Sequence, residues 1–145
     1  MLYKPTVFLS LLLPVCLFTV SGFAQAGAAA QYTAALKKVT DVILNDVASP
    51  VAASRYYAYL NLAAYETAVL YQPKKIQSFS GKLNNLILVP VNSKWVQMSD
   101  ATAAVLLAIF KTGEKLLPSG YLLKQQIDSL TTLLTANKKI RFENA

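Results

Sequence analysis

The sequence predicts an all-α protein, a partial helical bundle of about four main helices and one short one. Apolar residues recur three or four positions apart in residues 31–46 and 121–136, which is the period of a helix rather than a strand. Two further segments, residues 50–72 and 99–117, are apolar on nearly every side. Past residue 26, only residues 86–91 offer a candidate strand, so we expect helices to dominate.

The first predicted helix covers residues 31–46 and is amphipathic. Lys37, Lys38 and Asp41 fall away from the apolar stripe, as expected for a helix on the protein surface. The stripe itself consists of Tyr32, Ala35, Leu36, Val39, Ile43 and Val47.

The second predicted helix runs from Pro50 to about Gln72. Ser49 suits the N-cap, where its hydroxyl accepts a hydrogen bond from a free backbone N–H. Pro50 suits the first helical position, because the N–H that it lacks would have no partner there. Pro73 ends the helix. Because almost no polar residue interrupts its surface, we expect this helix to be buried.

Residues 73–98 are predicted to be irregular, with one short helix at 80–86 and Trp95 as a packing anchor. The third main helix begins at Ser99, which we expect to be its N-cap, and continues as a buried helix to about residue 117. The fourth helix follows a Pro-Ser-Gly turn at residues 118–120 and ends near residue 136. Lys124 and Asp128 form a stabilising i, i+4 ion pair on its solvent-exposed side, and Asn137 is a candidate C-cap.

Residues 1–26 have the order of a secretory signal peptide. Lys4 precedes an apolar run from about residue 5 to 20, and Ala24 and Ala26 flank Gln25 at a candidate cleavage site. A retained anchor would need roughly 20 apolar residues, and a lipid on Cys16 would need a smaller residue before it. We therefore expect an exported domain, residues 27–145, periplasmic or extracellular, without a stable membrane span after cleavage.

Composition restricts the chemistry that this domain can perform. The chain has no histidine and one cysteine, Cys16, which the predicted cleavage removes. The commonest general base and the usual zinc ligands are therefore missing, and we assign no catalytic, cofactor-binding or metal-binding residue. The net charge is +7, but the lysines occur as scattered pairs rather than a concentrated basic face, so we expect no nucleic-acid partner.

Two charges, Arg55 and Glu66, interrupt the second helix. They are eleven residues apart, roughly 16 Å at 1.5 Å per residue, so they cannot pair with each other. A lone buried charge is costly, and each residue therefore needs a partner from elsewhere. For Arg55 the near candidate is Asp46, in a structural ion pair between the first two helices. The alternative is a contact between Arg55 and an anion or a partner domain.

Residues 45–71 resemble the N-terminal helices of exported bacterial vanadium-dependent haloperoxidases and type 2 phosphatidic acid phosphatase-like proteins. The likeness extends over most of residues 31–136. It includes a Gly-Lys-Leu-Asn segment at 81–84 and a Leu-Leu-Pro turn at 116–118. The matching motif positions are Asp46, Ser49, Pro50, Arg55, Tyr59, Tyr65 and Glu66.

The resemblance implies an all-α bundle that holds vanadate or phosphate in a cage of lysine, arginine, serine, glycine and histidine. Those residues lie in the later half of such proteins, and none has a matching position here. The cage contains a Pro-Ser-Gly-His element, but Tyr121 follows Pro-Ser-Gly in this chain. We therefore expect an inactive N-terminal segment whose partner is the missing catalytic half or a second copy. The alternative is a free-standing extracytoplasmic helical binding or scaffold module.

Overall fold

The computed structural model describes residues 22–87, 91, 96, 97 and 99–143, with side chains for 27–87, 91, 96, 97 and 99–136. The elements are α1 (Gly22–Asn45), α2 (Pro50–Tyr71), α3 (Ala101–Leu116), a 3-10 helix (Gly120–Leu123) and α4 (Lys124–Glu143). The described residues contain no strand, which confirms the all-α class. The proposed signal sequence up to residue 21 and Trp95 lie outside the described residues.

The chain divides into two compact units, Met1–Thr33 and Ala34–Ala145, and the boundary falls within α1. The described part of the first unit, residues 22–33, is helical. All packing discussed below belongs to the second unit.

Helix α3 is the central element of the second unit. It packs against α2, the 3-10 helix and α4. Four side chains are completely buried, one each from α1, α2, α3 and the 3-10 helix: Val39, Leu60, Ile109 and Leu123. Gly113 allows two of them to approach α3, because a Cβ there would lie 2.8 Å from Leu123 Cδ1 and 3.6 Å from Leu60 Cδ2. The close approach explains a residue that otherwise weakens a helix.

Helix α2 begins as the sequence predicts. Ser49 is the N-cap, its hydroxyl accepts a hydrogen bond from the Ala52 N–H at 3.3 Å, and Pro50 occupies the first turn. The expectation that α2 is buried all round is wrong. Only Leu60, Ala64, Glu66 and Val69 are buried, because α3 and the following loop cover one side and leave the other exposed.

Three ends of the other helices, and one predicted short helix, differ from the prediction. Helix α1 starts earlier, at Gly22, and α4 continues to Glu143, so Asn137 is not its C-cap. Residues 80–86 form hydrogen-bonded turns rather than a helix. Asp100, not Ser99, is the N-cap of α3, and its carboxylate accepts from the Ala103 N–H at 2.7 Å. A carboxylate is the stronger acceptor at the positive end of a helix.

Three tyrosines connect α2 to its surroundings. The Tyr57 hydroxyl lies 2.6 Å from Thr40 Oγ1 on α1, and the Tyr71 hydroxyl lies 2.6 Å from Ser99 Oγ before α3. The Tyr65 hydroxyl donates to the Gln77 carbonyl at 2.8 Å. Because Tyr71 lies beside Ser99, and Leu60 beside Gly113, α2 and α3 run antiparallel.

The turn after α1 contains a strained residue. Ala48 N–H donates to the Ile43 carbonyl and Val47 N–H to the Leu44 carbonyl, the two hydrogen bonds of a Schellman helix end. This places Val47 at a φ of 49°, where glycine is usual and a β-branched residue is an outlier. The prediction that Val47 belongs to the buried stripe is wrong: its side chain is 87% exposed. Ala35, Val39 and Ile43 of that stripe are buried.

Replacing Val47 by glycine should therefore stabilise the protein. The left-handed conformation costs an L-residue roughly 1–2 kcal/mol, and glycine removes that cost. The greater backbone entropy of glycine in the unfolded chain offsets part of the stabilisation. We expect Val47→Gly to raise the free energy of unfolding by about 1 kcal/mol in urea titrations. Val47→Ala removes the same apolar surface but keeps Cβ. An equal gain in both variants would show that φ is not the source of the strain.

Candidate interaction surface

Asp46 joins the turn between α1 and α2 to the turn between α3 and the 3-10 helix. Its Oδ2 accepts a hydrogen bond from the Ser119 backbone N–H at 3.0 Å. Hydrogen bonds from the Ser119 hydroxyl and backbone lower the pKa of Asp46 below its ordinary value of 3.8. The next residue, Gly120, is required in this turn because a Cβ there would collide with the Glu114 carbonyl. The expected role of Pro-Ser-Gly as an interhelical turn is confirmed, although the Ser119 side chain does not cap the 3-10 helix.

Arg55 does not pair with Asp46, so the predicted ion pair between the first two helices is wrong. Arg55 is exposed on α2. Among the described residues, ion pairs form only between neighbours on one helix, and none contains Arg55. The Asp46 carboxylate instead accepts a hydrogen bond from the Ser119 N–H, which the tertiary fold places beside it. The predicted Lys124–Asp128 pair is confirmed, with its charged atoms 3.4 Å apart.

Glu66 is buried, with 8% of its surface exposed, and it anchors the loop after α2. Its Oε1 accepts from the Phe79 backbone N–H and its Oε2 from the Ser78 hydroxyl, both at 2.7 Å. Beside it, the Tyr65 ring lies 4.8 Å from the Phe79 ring between centroids. Glu66 therefore has the partners that a buried charge needs, in the form of a backbone amide and a hydroxyl. Sequence spacing did not indicate these residues as the partners.

Most of the motif positions thus have structural roles. Asp46 joins two turns, Ser49 and Pro50 begin α2, and Tyr65 and Glu66 hold the loop. Arg55 and Tyr59 are different, because both are exposed, Tyr59 by 54%. Together with Val51, which is 66% exposed, they lie four residues apart along one row of α2. We call these three residues the α2 stripe.

The α2 stripe continues into other exposed apolar residues at the same end of the bundle. Leu44 and Val47 precede it at the α1–α2 turn, and both are exposed. The Asp46–Ser119 hydrogen bond places this turn beside Tyr121 and Leu122, which are exposed as well. The stripe and these four residues place several exposed apolar side chains near one end of the bundle, on both sides of the Asp46–Ser119 contact.

An oxyanion such as vanadate or phosphate does not fit the Pro-Ser-Gly turn. The Ser119 N–H, which such an ion would need, already binds the Asp46 carboxylate, and that negative charge would repel a second anion. The histidine that follows this turn in the resembled enzymes is Tyr121 here. Among the described residues, no group of three or more histidine, cysteine, aspartate or glutamate side chains could hold a metal ion.

No helix in the described part combines the length and the apolar character required to cross a bilayer. Scans against protein-family models, curated proteins and solved structures found no match to the sequence or the fold.

The Asp46 hydrogen bond should make stability depend on acid pH. Because the pKa of Asp46 is lowered on folding, its contribution is complete above the ordinary value of 3.8 and disappears as the pH falls through the folded-state pKa. Asp46→Asn keeps an acceptor for Ser119 but does not titrate, so we expect it to lose less stability than the native chain between pH 5 and pH 2. Thermal melts across this range measure the difference. Asp128→Asn, which changes an exposed pair, is the matched control, and a similar effect of both substitutions would contradict the assignment.

Proposed function

We propose that this chain is the exported, non-catalytic helical segment of an enzyme that resembles vanadium-dependent haloperoxidases and type 2 phosphatidic acid phosphatases. In this proposal the catalytic cage belongs to a partner polypeptide or domain, and the segment provides a surface for it. The likeness of residues 45–71 supports the family, and the absence of histidine supports the lack of activity. The partner would cover exposed apolar residues of α2 and of the adjoining turns.

One observation carries the proposal: five of the seven motif positions have structural roles, while the other two remain exposed on the α2 stripe. A helix needs neither an exposed tyrosine nor an exposed arginine for its own folding. Tyrosine and arginine are enriched at the centres of protein interfaces, where their large side chains pack and donate hydrogen bonds. The position of Arg55 therefore favours the second alternative raised by the sequence, contact with a partner.

The strained, exposed Val47 supports the same conclusion. At its φ of 49°, glycine would cost less, and at 87% exposure the side chain gains little from packing within this chain. Backbone strain of this kind accumulates where a protein uses a residue for something other than folding. Val47 belongs to the α1–α2 turn, which leads directly into α2 and its stripe.

The proposal predicts no turnover from residues 27–145. Bromide oxidation and phosphate-ester hydrolysis should both stay at the level of buffer, with or without added vanadate, because the Ser119 N–H is occupied and no histidine can transfer a proton. The purified protein is assayed for both reactions. A rate that disappears when one residue of this chain is substituted would overturn the proposal.

The proposal also predicts that, without its partner, the segment exposes an apolar surface that binds other apolar molecules. Residues 27–145 should self-associate, or bind a hydrophobic dye, while they keep the circular dichroism of a helical protein. Val51→Ser with Tyr59→Ser should reduce dye binding severalfold. Leu133→Ser, at a 47% exposed position on α4, is the control and should change it little. A monomer that melts sharply and binds no dye would instead favour a free-standing extracytoplasmic binding or scaffold module.

A further inference from the structure

The opposite end of the bundle has a different chemical character. Residues 72–100, which connect α2 to α3, contain four lysines and one acidic residue, Asp100. Of these lysines, Lys74, Lys75 and Lys82 belong to the described residues, and all three are exposed. The Lys82 ammonium donates to the Gln77 side-chain carbonyl at 3.0 Å, a neutral partner that leaves its charge in place.

The acidic groups that flank this connection are already engaged. Glu66 is buried and accepts two hydrogen bonds from the loop, and Asp100 accepts the Ala103 N–H at the positive end of α3. Neither carboxylate forms an ion pair with a lysine of the connection within the described residues. Asp100 is exposed, and its hydrogen bond to a neutral amide leaves its charge in place. The three exposed lysines outnumber this one exposed carboxylate, so the described part of this end has a net positive charge that can attract an anionic partner.

Apolar side chains are exposed among these lysines: Leu70, Phe79, Leu83, Ile87 and Val91. Ile87 is 87% exposed, so almost none of its side chain packs within the described protein. A cleft of about 440 Å³ lies between the end of α2 and the start of α3, lined chiefly by Leu70, Tyr71, Pro73, Val91 and Val96. Lys74 and Lys75 line an adjoining depression that shares Tyr71 and Pro73 with the cleft. We call this lysine-rich apolar region the loop end.

Hydrogen bonds hold residues 77–83 of the loop end. The Glu66 carboxylate and the Tyr65 hydroxyl bind residues 77–79, and the Phe79 carbonyl accepts from the Lys82 and Leu83 N–H groups in the turn that carries Leu83. When a loop is already ordered, its exposed apolar side chains can enter an apolar environment without the entropic cost of ordering the loop.

We propose that the loop end binds the surface of a membrane that contains anionic phospholipids. In this arrangement Lys74, Lys75 and Lys82 lie among the headgroup phosphates, while Leu83 and Ile87 enter the boundary between headgroups and acyl chains. Lysine with exposed aliphatic residues is typical of protein surfaces that lie on membranes. The same composition argues against a protein partner here, because lysine is depleted in protein–protein interfaces. The loop end lies away from the α2 stripe, so both surfaces can be occupied at once.

Vesicle binding tests the proposal with the full chain. Binding is measured by flotation with vesicles of phosphatidylglycerol and phosphatidylcholine, and with vesicles of phosphatidylcholine alone. We expect tighter binding to the anionic vesicles than to vesicles of phosphatidylcholine alone, and a loss of this difference as salt is raised toward 1 M, where charges are screened within about 3 Å. Because each lysine near an anionic surface contributes roughly fivefold, Lys74→Gln with Lys75→Gln and Lys82→Gln should weaken binding on the order of 100-fold.

A charge-matched control separates this surface from the net charge. Lys37→Gln, Lys38→Gln and Lys115→Gln remove the same total charge from exposed positions on α1 and α3 and should weaken binding no more than about threefold. Ile87→Asn should weaken binding without changing the charge. All variants share one N-terminal segment, so any affinity of that segment for lipid is common to them.

Three outcomes would overturn the proposal. The first is equal binding to both kinds of vesicle, and the second is an equal loss in the loop-end and control variants. The third is a change of oligomeric state, rather than of vesicle binding, in the loop-end variants, which would make this face an interface between copies of the chain. Circular dichroism of each variant confirms that the exposed substitutions leave the helices intact.

Discussion

The hydrogen bond from the Ser119 backbone to the Asp46 carboxylate connects two turns that lie far apart along the second unit of the protein. It joins residues 73 positions apart, and through them the α1–α2 turn and the turn that follows α3. A carboxylate that accepts a backbone N–H makes a stronger bond than a neutral acceptor would. The glycine after Ser119 and the Schellman end of α1 are both conditions of this contact, because each brings one of the two partners into place. The strain at Val47 is a local consequence of that geometry.

Helix α2 organises the rest of the structure through polar groups at its edges. Its tyrosines form hydrogen bonds with α1, with the following loop and with Ser99 before α3. Glu66 accepts a hydrogen bond from the backbone of that loop. These bonds account for two of the seven motif positions, Tyr65 and Glu66. Their roles are structural, and a fold does not by itself imply a chemical activity. For this reason the proposal concerns a non-catalytic segment rather than an enzyme.

The two exposed surfaces differ in the composition that each presents. The α2 stripe combines an aromatic, a guanidinium and aliphatic side chains, which suits a protein partner. The loop end combines lysines with aliphatic side chains, and its described lysines outnumber the one exposed carboxylate beside them, Asp100. This composition suits an anionic membrane surface. The two surfaces lie at opposite ends of the antiparallel α2–α3 pair. A partner bound at one surface would therefore orient the bundle and leave the other surface accessible.

The sequence determined the features that depend on near neighbours. The Ser49–Pro50 start of α2, its end before Pro73 and the Lys124–Asp128 pair follow from interactions within about one helical turn. The helical period also predicted the buried residues Ala35, Val39 and Ile43 of α1, but not Val42. The tertiary structure decided everything that depends on residues far apart in the chain. Arg55 is exposed on α2 and does not pair with Asp46, whose carboxylate binds Ser119. Glu66 is satisfied by the Phe79 N–H and the Ser78 hydroxyl rather than by a cation. Asp100 replaces Ser99 as the cap of α3, and the Ser99 hydroxyl instead meets Tyr71. An apolar helix such as α2 has no preferred inward side in its own pattern, so the neighbours that pack against it select which face is buried.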